Sequence, residues 1–323
     1  MQNALRHLTS LLAGCCLATM AAAQTDAKFP ALIRIVVPFS AGGSNDVIAR
    51  AIAPSLSKRL GTTVVIDNKP GAGGVIGADA VAKATPDASV LLLTSSSFLT
   101  ATATLPKVPY DTLGSFSPVA MVAEGPLLLA VSSASPYKSP GELFAAARAK
   151  PGVVTYGSAG VGSVAQMATE MMNDAAKVRM LHVPYKGASN ALIDLAAGQI
   201  DVMVTNYSTV VSQIKSGKVR PLGVTSLQAN PTFPDLPPVS ASAPGFAIDI
   251  WVGVFAPVGT PTALVQRLNR EINEIATSPE VRNLLDPDGS LPKALTPTAF
   301  ATRVKDDLGL WKRIATEKKI VAE

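Results

Sequence analysis

Residues 35–46, IVVPFSAGGSND, constrain the fold more than any other stretch. An apolar run of strand type passes into a loop of small residues. The loop feeds a helix whose apolar positions Val47, Ile48, Ala51, Ile52 and Leu56 recur every three or four residues. Ser44, Asn45 or Asp46 can cap that helix by accepting a backbone N–H. Gly42 and Gly43 are predicted to turn the chain with positive φ and to leave their amides uncovered. Bare amides at a helix N-terminus favour a small anion, because the unpaired donors and the helix dipole act in the same direction. The same pattern also serves an ordinary strand-to-helix turn. Pro54, inside the helical stretch, is predicted to kink it.

The stretch ahead of this element has a different character. Arg6 and His7 precede an apolar run over residues 8–23, and Ala21-Ala22-Ala23 before Gln24 forms a small-residue cleavage site. The run is too short, and too diluted with Ala, Ser and Thr, for a membrane span. Residues 1–23 therefore read as an export signal. Leu12-Ala13-Gly14-Cys15 also resembles a bacterial lipobox, in which Cys15 would be lipidated and become the N-terminus. Both routes stay open, and both place the chain in the periplasm. Cys15 and Cys16 are the only cysteines, so a chain cleaved after Ala23 has no disulfide to form and is held by packing alone. The segment holds one of the 28 bases and none of the 23 acids, so its removal lowers the net charge from +5 to +4. That small excess, with no dense Lys/Arg run, is no nucleic-acid footprint. The remaining length of about 300 residues suits a sizeable core and two domains. No later segment is long and apolar enough to cross a membrane.

Strand-like and helical runs alternate through the rest of the chain, the grammar of α/β layers around parallel sheets. Residues 63–67 and 90–93 read as strands, the second ending in the hydroxyls Thr94-Ser95-Ser96-Ser97. Two further strands, 119–122 and 127–131, are separated by Glu124-Gly125-Pro126, which is predicted to break them and form a hinge. Ser139-Pro140-Gly141-Glu142 is a capping box with Pro at the first helical position. The strand 153–156 leads into a second glycine-rich loop, residues 157–163 (GSAGVGS), and a helix follows. Strands 180–185 and 201–205 flank another helix, and a Pro-rich loop over 230–244 precedes a return strand at 251–255. Thr260-Pro261, Ser278-Pro279 and Thr296-Pro297 each read as a cap plus first-position Pro. In open α/β sheets, ligands sit outside the carboxyl ends of the strands. Two glycine-rich loops on either side of a hinge thus suggest two lobes closing on one small ligand, with hydroxyls of Ser95, Ser96, Ser163 and Thr225 as extra donors.

Catalysis finds little support. Gly157-Ser158-Ala159-Gly160 is not a Gly-x-Ser-x-Gly elbow, and His182 is the only histidine after the signal that could serve as a base. Neither a nucleotide phosphate loop nor a complete dinucleotide fingerprint is present. With no Cys and one His beyond residue 23, metal ligands are lacking too, and no cofactor is expected.

The segments resemble, in order and over nearly the whole chain after residue 23, the periplasmic receptors of tripartite tricarboxylate transporters, also called Bug proteins. The residues that carry the resemblance are 37–46 with Ala49-Arg50, 68–74 (NKPGAGG), Pro109-Tyr110-Asp111, 156–163, Val183-Pro184-Tyr185-Lys186-Gly187, Gly198-Gln199-Ile200-Asp201, Val224-Thr225-Ser226 and Trp251-Val252-Gly253. The resemblance implies an α/β type II periplasmic-binding fold, two lobes joined by two crossing strands and closing like a flytrap. Lobe I would hold residues 24–124 and 250–323, and lobe II residues 125–249. It also implies a small carboxylate as ligand, a dicarboxylate or an aromatic carboxylate, delivered by a monomer to membrane permease subunits. An exported sensor or scavenger of the same fold, acting on a signalling partner, is the alternative. Carried over, the ligand contacts are Phe39, Ser40, Ala41, Gly43, Ser44 and Asp46, with Ser95 and Ser96 beneath them. The opposing lobe gives Ser158, Ala159, Gly162 and Ser163, with Tyr185, Lys186, Gly187 and Ala188 nearby. After Ser163 the chain departs from many relatives, with Val164-Ala165-Gln166 in place of a His or bulky polar residue, which bears on ligand identity. Several of these residues have plainer roles open to them: Asp46 as a helix cap, Lys186 as a solvated turn lysine, Tyr185 and Tyr156 as packing groups, and His182 as a satisfied structural histidine.

Overall fold

The apolar runs pair first. In the computed structural model, which describes residues 28–322, β1 (Leu32–Val37) lies between β2 (Thr63–Asn68) and β3 (Val90–Ser95), parallel to both. The expected export signal, Cys15 included, lies outside the described residues. Two long strands extend this sheet, and only one of the two, β10 (Asp249–Pro257), runs opposite to β1–β3. β10 pairs antiparallel with β3 and with β4 (Phe116–Pro126), and the short β11 (Leu291–Pro292) closes the edge. The result is a six-stranded sheet in the order β11-β4-β10-β3-β1-β2.

The second sheet has five strands in the order β7-β6-β8-β5-β9. Parallel pairs join β6 (Thr155–Ser158) to β7 (Leu181–Pro184) and to β8 (Val202–Thr205). Antiparallel pairs join β5 (Leu128–Ser132) to β8 and to β9 (Val219–Val224). Both sheets are therefore mixed rather than purely parallel, because the strands nearest the crossings run against their neighbours.

Glu124-Gly125-Pro126 does not break the chain as expected. β4 runs through all three residues, which pair with Trp251, Ile250 and Asp249 of β10, and only Leu127 separates β4 from β5. Pro126 is tolerated because it ends the strand, where its missing N–H removes no ladder bond.

Helices cover the sheets. In the first group, α1 (Ser44–Leu60) turns Ile48, Ile52 and Leu56 onto the sheet, while α2 (Val75–Ala82) and α3 (Ser97–Thr104) follow β2 and β3. α1 continues unbroken through Pro54, its buried face holding the turn that loses a hydrogen bond. In the second group are α4 (Pro140–Ala149), α5 (Val164–Ala176), α6 (Ala188–Ala196) and α7 (Tyr207–Lys215). The chain then returns for α8 (Thr262–Ala276), α9 (Pro279–Leu285) and α10 (Pro297–Lys318). Ser139 and Thr296 cap as expected, by accepting the amides of Glu142 and Ala299. The Thr260 hydroxyl does not cap α8. It donates to the Pro257 carbonyl, and Pro261 takes the cap position.

Candidate functional site

A cavity of about 610 Å³ lies between the two sheets, and helix N-termini build much of its wall. Each of these helices leaves the carboxyl end of a strand, the position where α/β sheets leave room for a ligand. From the first sheet, α1 brings Gly43, Ser44 and Asn45, and α3 brings Ser95, Ser96 and Ser97. From the second, α5 brings Ser163, Val164 and Ala165, α6 brings Ala188, and α7 brings Asn206, Ser208 and Thr209. Phe39, Val47, Leu127, Val204, Ile250 and Trp251 supply an apolar surface between these polar ends. Among the described residues, no Lys, Arg or His lines the cavity.

The loop before α1 owes its shape to one carboxylate. Asp46 is 2 % exposed and faces away from the cavity. Its Oδ2 accepts the Gly42 amide at 2.8 Å and Arg50 Nε at 2.9 Å, and its Oδ1 accepts Asn68 Nδ2 at 3.0 Å. Bonds from Arg50 and Gly42 hold its pKa down at about 2, against the opposing effect of burial. Asn68 Nδ2 also reaches the Phe39 carbonyl, at 3.2 Å. Asp46 therefore closes the start of the helix from its third position, but by accepting the amide before the N-cap rather than the N-cap amide of a capping box. Of the two glycines, only Gly42 has the expected positive φ, at +83°. Gly43 has an extended backbone (φ −74°, ψ 164°) as the N-cap residue, and no side chain caps the helix there. The amides of Ser44 and Asn45 find no acceptor among the described residues, so the donors left for an anion are theirs.

The second glycine-rich loop is braced from within. Ser158, wholly buried, has its hydroxyl 2.7 Å from His182 Nε2, and it also bonds both the amide and the carbonyl of Gly160. Gln166 Oε1 accepts the Gly162 amide at 2.8 Å, which turns Gln166 Nε2 toward His182 Nδ1 at 3.1 Å. His182 stacks on Tyr156 with ring centroids 4.8 Å apart, so it is a satisfied structural histidine, and burial lowers its pKa. Tyr156 packs in the core and donates its hydroxyl to Glu170.

The structure thus gathers Phe39, Gly43, Ser44, Ser95, Ser96, Ala159, Ser163 and Ala188 around the cavity. Ser40, Ala41, Asp46, Ser158, Gly162, Tyr185, Lys186 and Gly187 stand off the wall. The Tyr185 hydroxyl donates to Asp194 Oδ2 at 2.7 Å, and Lys186 is exposed. Thr225 is committed elsewhere, bonding the Leu127 amide and the Ile248 carbonyl. Sequence reasoning missed the entrance of α7 and the turn after α9, which brings Asp288 and Ser290 to the wall. Tyr207-Ser208-Thr209-Val210-Val211 has weak helix propensity, which hid α7. Asn206 directly after a strand was the available sign of a helix start.

A family model described as "Tripartite tricarboxylate transporter family receptor" matches residues 48–320. The chain belongs to this receptor family. Among curated relatives, the "UPF0065 protein in tcbD-tcbE intergenic region" of Pseudomonas sp. (strain P51) is 38% identical over 97% of this chain and 95% of its own length. Protein BugT of Bordetella pertussis is 35% identical over 96% of this chain and 98% of its own. An R. palustris protein solved with adipate superposes with a TM-score of 0.78 at 31% identity, covering 90% of this chain and 98% of that one. MatC from Rhodopseudomonas palustris with bound malate gives 0.74 at 32% identity, covering 88% and 98%. The paired α/β sheets are accordingly the two lobes of a periplasmic-binding receptor fold.

Proposed function

We propose that this receptor captures a small organic acid between its lobes in the periplasm and delivers it to the membrane permease subunits of a tripartite transporter. It acts as a monomer that performs no chemistry on its ligand. One observation carries the assignment. The cavity is walled by hydroxyls and by the uncapped entrances of α1, α3 and α6, from both sheets, with no basic side chain among the described lining residues. Such a wall suits a carboxylate held by backbone amides. Entrances on opposite walls suit a dicarboxylate, and malate and adipate, bound by two of the similar structures, are dicarboxylates. Phe39 and Trp251 give an aromatic carboxylate an alternative surface.

Affinity is expected to be roughly micromolar, as a preformed pocket with a handful of hydrogen bonds provides. Calorimetry against succinate, malate, glutarate, adipate and terephthalate, with a neutral sugar and a cationic amine as controls, tests the assignment. Heat from one or more acids and none from the controls is expected. A response to the sugar or the amine alone would overturn it.

A further inference from the structure

One helix entrance on the cavity wall is already filled by the protein itself. α7 has Asn206 at its N-cap position, but the Asn206 side chain caps nothing. The Ser208 amide in its first turn donates instead to Asp288 Oδ1 at 2.6 Å, a carboxylate carried over from the first sheet's side. Asp288 and Ser208 both line the cavity. Two more bonds across the lobes fix the Asp288 turn. Asn230 Nδ2 donates to the Gly289 carbonyl at 2.8 Å, and Thr232 Oγ1 to the Asp286 carbonyl at 3.1 Å. Asp288 is also the only acidic residue among the described lining residues, and none of them is basic. Nothing on the wall therefore cancels its charge. An anionic ligand meets donors at α1, α3, α5 and α6, but a negative charge at α7.

We propose that Asp288 is a specificity-determining residue: its carboxylate takes the place of a further ligand carboxylate at the α7 entrance and limits the receptor to acids with no more than two. The proposal rests on the assignment of the cavity as a carboxylate site. It places the two ligand carboxylates at the entrances that remain free. The part of the ligand that faces Asp288 is neutral or donates a hydrogen bond.

The test compares acids that differ by one carboxylate on the same skeleton. Glutarate and tricarballylate form an aliphatic pair, and isophthalate and trimesate an aromatic one. D288N keeps an oxygen to accept the Ser208 amide and removes only the charge. Calorimetry with the wild type should show at least tenfold tighter binding of the dicarboxylate in whichever pair binds, since repulsion between charges a few ångströms apart is worth that much in a partly desolvated site. In D288N this preference should shrink at least tenfold. D288S repeats the comparison if melting curves show D288N unfolded. A preference unchanged within twofold in a folded, neutral variant would overturn the role of Asp288, as would wild-type protein that binds both members of a pair equally. A wild type that binds neither pair, nor succinate, malate, adipate or terephthalate, would instead overturn the carboxylate assignment beneath it.

Discussion

Asp46 and His182 serve the cavity without standing on its wall. Asp46 spends its oxygens on Gly42, Arg50 and Asn68, and so fixes the loop whose later amides stay free. Asp46→Ala should lower stability by about 2–3 kcal/mol, because three donors lose a shared acceptor, and should weaken ligand binding with it. Urea unfolding and calorimetry on the same variant check this; intact affinity would show that the loop holds its shape unaided. His182 sits in a directional chain. The Gly162 amide fixes Gln166, Gln166 donates to Nδ1, and Nε2–H then donates to Ser158. A second proton on His182 would set N–H against N–H and unseat the loop. Burial lowers the folded pKa below 6.5, so the folded form stays neutral while the unfolded chain takes up a proton. Stability is therefore full above pH 6.5 and is lost as pH falls from there toward the lowered value, by at most about 1.4 kcal/mol per pH unit. Melting temperatures from pH 7.5 to 5.5 should fall more steeply for the wild type than for His182→Gln. Equal slopes would exclude the histidine. Sequence alone leaves both residues at a cap and a satisfied imidazole, since their partners come from distant segments such as Asn68 and Gln166.

Among the elements, the crossings between the lobes depend on one hydroxyl. Thr225, at the end of β9 and wholly buried, accepts the Leu127 amide at 2.8 Å through its Oγ1 and donates the same hydroxyl to the Ile248 carbonyl at 2.7 Å. Its own amide donates to the Leu127 carbonyl, and its carbonyl accepts from Ile248. Both connections between the sheets are thus knotted at one residue. Thr225→Val keeps the shape and strands a buried N–H and C=O, so it should cost about 2 kcal/mol. Thermal or urea unfolding measures this, and an unchanged midpoint would show that water replaces the hydroxyl. The alternation of runs made most strands and the long helices legible, because period and length both marked them. β4 was misread at Glu124-Gly125-Pro126 because breaker residues speak of local preference, whereas the pairing with β10 is long-range. α3 and α7 were missed for a related reason. Their Ser, Thr and Val residues favour helix weakly, and packing against the sheets decides the outcome.

At the scale of the whole molecule, two of the places where the lobes meet in the conformation described bear on the cavity. Asp288 meets Ser208 beside the cavity, and the loop before α5 meets α3 behind it. The second contact leaves no room for a side chain. Gly162 has φ +78°, and a Cβ there would lie 2.4 Å from Thr104 Oγ1 and 3.1 Å from Ala322 Cβ. A single buried cluster also runs from Trp251 and Phe300 of the first lobe, through Trp311 of α10, to Met167 and Tyr156 of the second. Closure is therefore expected to be a limited rotation about the Thr225 knot rather than a full separation of the lobes. Gly162→Ala tests the idea, because the methyl group meets backbone strain as well as Thr104 and obstructs the approach of the loop to α3. In small-angle scattering, saturating ligand should compact the wild type and compact the variant less, with affinity falling at least tenfold. Replacing Thr104 by Ser in the same chain should restore little, since the clash is with the oxygen. Replacing it by Ala should recover compaction and binding in part, because the oxygen is then gone while the Thr104 Cβ, 3.0 Å from the added methyl, and the positive φ remain. A Gly162→Ala protein that closes and binds as the wild type does would show that this contact has no part in capture.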